Sequence, residues 1–268
     1  MFSIFKKKKV VPHVRLTGVI GSAGRFNKGI DLAGQRDILK KAFSFKKITH
    51  VAVSINSPGG SPVQSHLIYS YIRQLAEKSK VKVIIFAEDV AASGGYLISC
   101  AGDEIYANSS SIIGSIGVIS ASFGFKDLIK KIGVERRVHT AGKNKSSLDP
   151  FQEEKSEDIE RLKNIQLDLH KDFIRVVEES RGSKLKKDGI ELFSGEFWAG
   201  SKSKELGLID GLGNANEILK EKFGEDVVIK KFEKPKGWLS KKLSSSSNQM
   251  DQLANILEER SIWQRYGF

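Results

Sequence analysis

Two short stretches have the composition of a site for acyl chemistry. Residues 91–98 read AASGGYLI, a serine set before two glycines and among small or apolar residues. Residues 55–62 read INSPGGSP, a buried-strand pattern broken by Pro-Gly-Gly. Glycines after a strand leave backbone N–H groups clear of side chains, and such donors can hold a developing oxyanion. Ser93 followed by Gly94 and Gly95 suits a nucleophile at a helix start, with the Gly94 amide as one oxyanion donor and the Gly60 amide as the other. Each stretch also has a plainer reading. Ser93 can be an N-cap, a role serine fills often, and Pro-Gly-Gly can be an ordinary strand-to-helix turn. Two glycine turns on consecutive strand–helix units favour chemistry.

A serine nucleophile needs a base within hydrogen-bond reach. The histidines are His13, His50, His66, His139 and His170, and none makes a recognisable triad pattern with Ser93. The stretch AGKNKSSLDP at 141–150 offers Lys143 and Lys145, which composition alone does not separate from each other or from solvated loop lysines. A lysine acts as a base only as the free amine, so its site must be dry enough to depress an ordinary pKa of about 10.4.

The elements that must position these groups follow from hydrophobic period. Strands are expected at 13–21, 48–55, 82–89 and 134–140, with short strand pieces within 103–121. Helices are expected at 31–45, 63–78 and about 151–181, with a tight one opening at AASGG and a short one at FGFKDLIKKIG. Alternating strand and helix imply repeated βαβ units and a largely parallel sheet. The carboxyl ends of such strands are where the sites of open α/β sheets lie.

Composition bounds the remaining possibilities. The 268 residues carry 44 Lys plus Arg against 32 Asp plus Glu, a net charge of +12. That balance suits an acidic partner. The basic stretches MFSIFKKKKVV and KKFEKPKGWLSKK mix lysine with large apolar residues, which fits peripheral contact with lipid headgroups or a solvated tail. No nucleic-acid-binding signature is present. The apolar run before the first lysines is five residues long, against the roughly 20 that a membrane span requires, so a cytoplasmic or membrane-peripheral location is expected. The single cysteine, Cys100, reads as a small buried hydrophobe. The expected organisation is a basic tail at 1–12, a catalytic domain at 13–232, a basic, serine-rich linker at 233–248 and a docking helix at 249–268.

Four segments in order resemble the signal peptide peptidase A family of Ser–Lys proteases. They are INSPGGSP, AASGGYLISCAGDEIYANSSSIIGSIGVI, AGKNKSSLDPF and SGEFWAGSKSKELGLIDGLGN, and the resemblance covers about residues 13–222. It implies an α/β, crotonase/Clp-like superfold, a peptidase activity with no metal or other cofactor, Ser93 as nucleophile and Lys145 as general base. It further implies that Ser115, in GSIGV, orients the lysine and that the amides of Gly60 and Gly94 form the oxyanion hole. Peptides such as signal-peptide remnants are the implied substrates, and a homo-oligomeric ring that shares each site between two subunits is the implied assembly. The chain departs from the family in having only MFSIFKKKK where a membrane anchor is usual. Three other readings compete: a crotonase-like acyl-CoA enzyme that uses the paired glycine amides on a thioester, a Clp-type Ser–His–Asp peptidase, and a scaffold with a degenerate site.

Overall fold

The strand that leads into Ser93 is buried over most of its length. In the computed structural model, which describes residues 8–21, 29–186, 189–233 and 261–267, the chain forms two compact units. Residues 117–173 make one, and the residues on either side of them make the other.

The larger unit begins with β1, Val10–Thr17, followed by α1, Leu32–Phe43, then β2, His50–Ser57, and α2, Pro62–Ser79. Next come β3, Lys82–Ala92, and the short α3, Gly94–Ser99, then β4, Glu104–Ala107, and β5, Ile112–Gly114. The smaller unit holds α4, Lys126–Lys131. The long α5, Ser156–Arg181, starts in the smaller unit and ends in the larger. The larger unit closes with β6, Phe197–Ala199, α6, Gly200–Glu205, β7, Gly211–Leu212, α7, Ala215–Phe223, and β8, Val228–Phe232.

The strands make one sheet in the order β6-β5-β3-β2-β1-β8, with β4 beside the first half of β3 and β7 beyond β4. Every pairing is parallel except that of β5 with β6. A parallel sheet is buried on both faces, and seven of the eight residues of β2 are buried rather than every second one, the polar Ser54, Asn56 and Ser57 among them. Val11, Ala52, Ile84 and Phe86 meet Ile218 and Leu219 of α7 on one face. Val53, Ile55, Val83 and Ile85 are fully buried, as are Leu39 of α1 and Ile68 and Ile72 of α2. This is the α/β, crotonase/Clp-like architecture.

β3 changes partners midway: Ile84–Ala87 pair with β4, and Val90–Ala92 with β5. Its register with β2 also jumps, from Ile55 opposite Ala87 to Ser57 opposite Ala91. Asn56 holds this bulge. Its side-chain carbonyl accepts the Val90 N–H at 3.1 Å and its amide donates to Asp89 Oδ2 at 2.6 Å. Beside it, the Arg15 guanidinium donates to both Glu88 carboxylate oxygens at 2.6–2.8 Å. A bulge re-aims the chain that follows it, and the chain that follows is Ser93.

Three boundaries differ from those read in the sequence. β1 begins at Val10, inside the stretch read as a basic tail, because its first residues pair with β8. The stretch 134–140 is not a strand: it is irregular and exposed, and it pairs with no strand among the described residues. Its alternation of valine with charge therefore has no ladder to join. Of the expected C-terminal helix, 261–264 are helical, 265–267 form a turn, and 249–260 and 268 lie outside the described residues, as do the lysine-rich stretches at 1–7 and 234–242 and the serine run. Among the described residues no helix is long and apolar enough to cross a membrane.

Candidate active site

The turn from β3 into α3 is strained at one residue. Ser93 has φ 51° and ψ −122°, in the left-handed range that side chains rarely adopt. Such a residue costs on the order of 1–3 kcal/mol and persists only where its surroundings hold it. Here they do. The Ser93 N–H donates to the Gly114 carbonyl at 2.8 Å, and the Ser93 carbonyl accepts from Leu97 N at 3.0 Å. α3 is anchored by Tyr96, fully buried, whose hydroxyl donates to the Leu208 carbonyl at 2.8 Å. Ser93 occupies the N-cap position, yet its side chain makes no capping hydrogen bond. It is also only partly buried, unlike every residue of the helix it starts.

The glycines of both turns are required by contact. A Cβ on Gly59, at φ 107°, would lie 2.8 Å from Ser93 Cβ and 3.1 Å from Gly94 N. A Cβ on Gly94 would lie 2.3 Å from Ser65 Oγ, and one on Gly95 would lie 2.7 Å from the Ser57 carbonyl oxygen. The two turns are thus interlocked, backbone against backbone. Gly60, at φ 140°, sits over Ile20, whose carbonyl oxygen a Cβ would meet at 2.0 Å. Gly60 is exposed. Among the described residues neither its amide nor that of Gly94 donates to a protein acceptor: the bridge to Ile20 uses Ile20 N–H and Ser61 N–H instead. Gly94 begins a helix, where first-turn donors have no intrahelical partner. Among the described residues, then, the Gly94 amide next to Ser93 and the Gly60 amide of the interlocked turn both lack a protein acceptor.

Ser115 is next to Gly114, the acceptor of the Ser93 amide, so the two serines directly follow the ends of the adjacent strands β3 and β5. Ser115 is 7% exposed and also left-handed, at φ 53°. Its N–H donates to the Glu196 carbonyl at 2.7 Å, and its Oγ accepts from the Tyr266 hydroxyl at 3.2 Å.

Lys145 belongs to the smaller unit and is exposed. It lies in a run of turns, its N–H donating to the Gly142 carbonyl at 3.2 Å. Within that unit the loop is braced on both sides. The Ser147 hydroxyl donates to Asp158 Oδ1 at 2.9 Å, and Arg161 also donates to Asp158. Arg136 pairs with Asp149 at 3.0 Å and stacks over Phe151, with its guanidinium carbon 4.7 Å from the ring centre. Those hydrogen bonds from Ser147 and Arg161 hold the Asp158 carboxyl below the usual range.

The remaining nucleophilic and basic candidates are accounted for elsewhere. Burial pushes the Cys100 thiol up to about 12 and leaves it a packing residue in the core. His13 and Ser54 are hydrogen-bonded at 2.8 Å, and burial lowers the His13 imidazole below its ordinary value. His50 stands at the start of β2 against Phe223. His66 is on α2, His139 in the exposed loop and His170 on α5.

Two residues of this region have no signature in the sequence reading. Asn56 lies inside INSPGG, where an asparagine at a strand's end gives a signal of turn chemistry, but its role depends on the register jump in β3. Tyr266 lies about 150 residues from Ser115, and only the tertiary fold brings them together.

Comparison with known proteins places these features in a wider group. The family model described as peptidase family S49 matches residues 75–226, more than half of the chain. A protein of Synechocystis sp. described as a candidate protease is 31% identical over 258 residues, covering 93% of this chain and 88% of that one. Protease 4 of Haemophilus influenzae is 33% identical over 220 residues, covering 79% of this chain and 34% of the other. A Brucella abortus protein named Na(+)/H(+) antiporter NhaA is 52% identical over 271 residues. That match takes in 96% of this chain, which spans 37% of the length of the Brucella protein.

Proposed function

The chain belongs to peptidase family S49, and from that premise we propose that it is a serine endopeptidase with Ser93 as nucleophile and Lys145 as general base. The observation that carries the reading is the Ser93 backbone, left-handed at a strand-to-helix turn with the side chain free of any capping bond. A capping serine needs neither feature. A nucleophile gains from both, since such a turn lifts Oγ clear of the helix behind it.

In the proposed reaction Ser93 Oγ attacks the scissile carbonyl while its proton passes to the free amine of Lys145. The amides of Gly60 and Gly94 receive the oxyanion, and Lys145 returns the proton to the departing amine. Water, deprotonated by the same lysine, then hydrolyses the acyl-serine. Ser115 orients the lysine. Signal-peptide remnants and other short or unfolded peptides are the proposed substrates, since an extended chain can lie along the exposed Gly60 turn.

The proposed working form is a homo-oligomeric ring in which one subunit supplies the lysine to its neighbour's serine. Its support is the exposure of Lys145 together with that of apolar side chains in the same unit, among them Phe123 at 79% exposed, Ile119, Ile132 and Val134. A base amine and large apolar groups both call for a covering surface. The antiporter name of the Brucella relative belongs to a protein of which this chain spans 37% of the length, whereas the family matched by this chain is a peptidase family.

Fluorophosphonate labelling of the full chain, read by peptide mass mapping, tests the nucleophile. Ser93 is the expected adduct site. Ser93→Ala and Lys145→Ala are each expected to abolish cleavage of a fluorogenic peptide library with the fold intact by circular dichroism. Near-wild-type turnover in either variant would sink the assignment. An acyl-CoA enzyme uses the paired amides without a serine nucleophile, so it predicts an unlabelled Ser93 and an active Ser93→Ala.

A further inference from the structure

We propose that Tyr266 is a positioning residue of this active site, acting through Ser115. The proposal rests on the reading of Ser115 as the group that orients the base, and it extends that site to a segment outside every motif that marks it.

Three observations converge on Tyr266. Its hydroxyl donates to Ser115 Oγ at 3.2 Å, a buried contact. Its ring is 8% exposed and packs with Val90 and Ala92, the residues of β3 that run up to Ser93, with Ile112 and Trp263 at the margin. Its other side meets Phe197 edge-on, with ring centres 5.1 Å apart and planes at 68°. Phe197 is the β6 residue opposite Gly114, and its neighbour Glu196 receives the Ser115 amide. One side chain therefore touches the strand that presents the nucleophile, the strand that braces the Ser115 backbone, and the Ser115 hydroxyl itself.

The chemistry of a hydroxyl gives this contact its consequence. The Ser115 backbone is fixed by its amide bond to Glu196 and by a left-handed φ, but a serine side chain still turns about χ1. The Tyr266 hydroxyl removes that freedom. It also occupies only one of the two acceptor positions of Ser115 Oγ, leaving the other and the Ser115 O–H for the base amine. Orientation of this kind raises the rate without changing substrate binding, because Tyr266 acts on the base through Ser115 and not on the peptide.

The test is a double-mutant cycle in the full-length protein, with Ser115→Ala, Tyr266→Phe and the pair. Phenylalanine keeps the ring and its packing and removes the hydroxyl alone. Tyr266→Phe is expected to lower kcat roughly five- to tenfold, with KM within about twofold of wild type and a melting temperature lowered by no more than the few degrees that one buried hydrogen bond accounts for. The rate of fluorophosphonate labelling at Ser93 should fall in parallel. In the Ser115→Ala background the same change is expected to have no further effect on kcat, since its target is gone. A wild-type kcat in Tyr266→Phe overturns the proposal while Ser93 labelling leaves the serine-peptidase reading standing. Effects that multiply in the double variant overturn it as well, because they mean that Tyr266 acts through packing. Failure of wild-type Ser93 to label overturns the peptidase reading and the proposal together.

Discussion

At the scale of single residues, the site depends on contacts that only glycine permits. Gly59 is the sharpest case, since its missing Cβ is what lets the turn after β2 press against Ser93. Gly59→Ala would add a methyl group 2.8 Å from Ser93 Cβ, at a φ of 107° that alanine avoids. Neither neighbour is a flexible side-chain end, so backbone must move. The expected outcome is a stability loss of about 2–4 kcal/mol in urea unfolding and a loss of activity larger than that instability explains. Cleavage at wild-type rate by the folded variant would show that the interlock is not needed. Ser93, Gly60 and Gly94 stand out together in the sequence because two glycine turns follow consecutive strands, and the structure sets those two turns against each other. Asn56 was not, because its effect lies in a register shift in a neighbouring strand that no local pattern records. The choice of Lys145 over Lys143 came from the family's motif, and both lysines sit in the same exposed run of turns.

At the scale of elements, the strands and helices around the sheet follow the hydrophobic period closely, and the exceptions share a cause. β2, β3 and α2 are long and strongly patterned, so burial on the sheet decides them. β4 through β7 are two to four residues each. Such pieces are set by which neighbour they pair with, not by their own period. The end of α5 illustrates the same dependence through charge. Arg181, almost wholly buried, donates to the Gly207 carbonyl at 3.0 Å and to Asp210 Oδ2 at 2.8 Å, and Asp210 also accepts from Ile105 N at 2.8 Å and Lys184 Nζ at 2.7 Å. One carboxylate thus ties α5 to β4 and to the chain entering β7. Burial by itself would raise its pKa, but the Arg181 and Lys184 hydrogen bonds prevail and hold it below the ordinary value. A depressed carboxylate stabilises the fold fully above its unfolded pKa of about 3.9, and that contribution fades as pH falls through the lower folded value. Asp210→Asn is therefore expected to cost on the order of 3 kcal/mol at neutral pH, since it strands the Arg181 charge. The gap between variant and wild type in thermal melts should narrow below about pH 4. A constant gap across that range would mean that the pair contributes packing alone.

At the scale of the whole molecule, the two groups that the proposed reaction needs stand in different compact units, Ser93 in one and Lys145 in the other. The smaller unit exposes large apolar side chains. α4 buries none of its residues, and Leu128 and Ile132 are exposed there along with Phe123. Its internal ties include the pairs of Arg136 with Asp149 and Arg161 with Asp158 and the Phe125 and Phe151 rings, together with exposed ion pairs such as Lys126 with Glu153, and surface pairs contribute little to stability. A neighbouring copy that covers these side chains would also exclude water from Lys145, the condition that a lysine base requires. The prediction is complementation. Ser93→Ala and Lys145→Ala are each inactive alone. After mixing, dissociation at low protein concentration and reassembly, some interfaces pair an intact serine with an intact lysine. With random mixing of equal amounts, roughly a quarter of the sites should regain both groups, and peptide cleavage should return to about that fraction of wild type. Native mass spectrometry confirms that mixed oligomers have formed, and Lys145→Ala subunits should regain fluorophosphonate labelling at Ser93 only within them. If mixed oligomers form and remain as inactive as their parents, serine and lysine act within one chain, and the exposed face of the smaller unit serves assembly without serving catalysis.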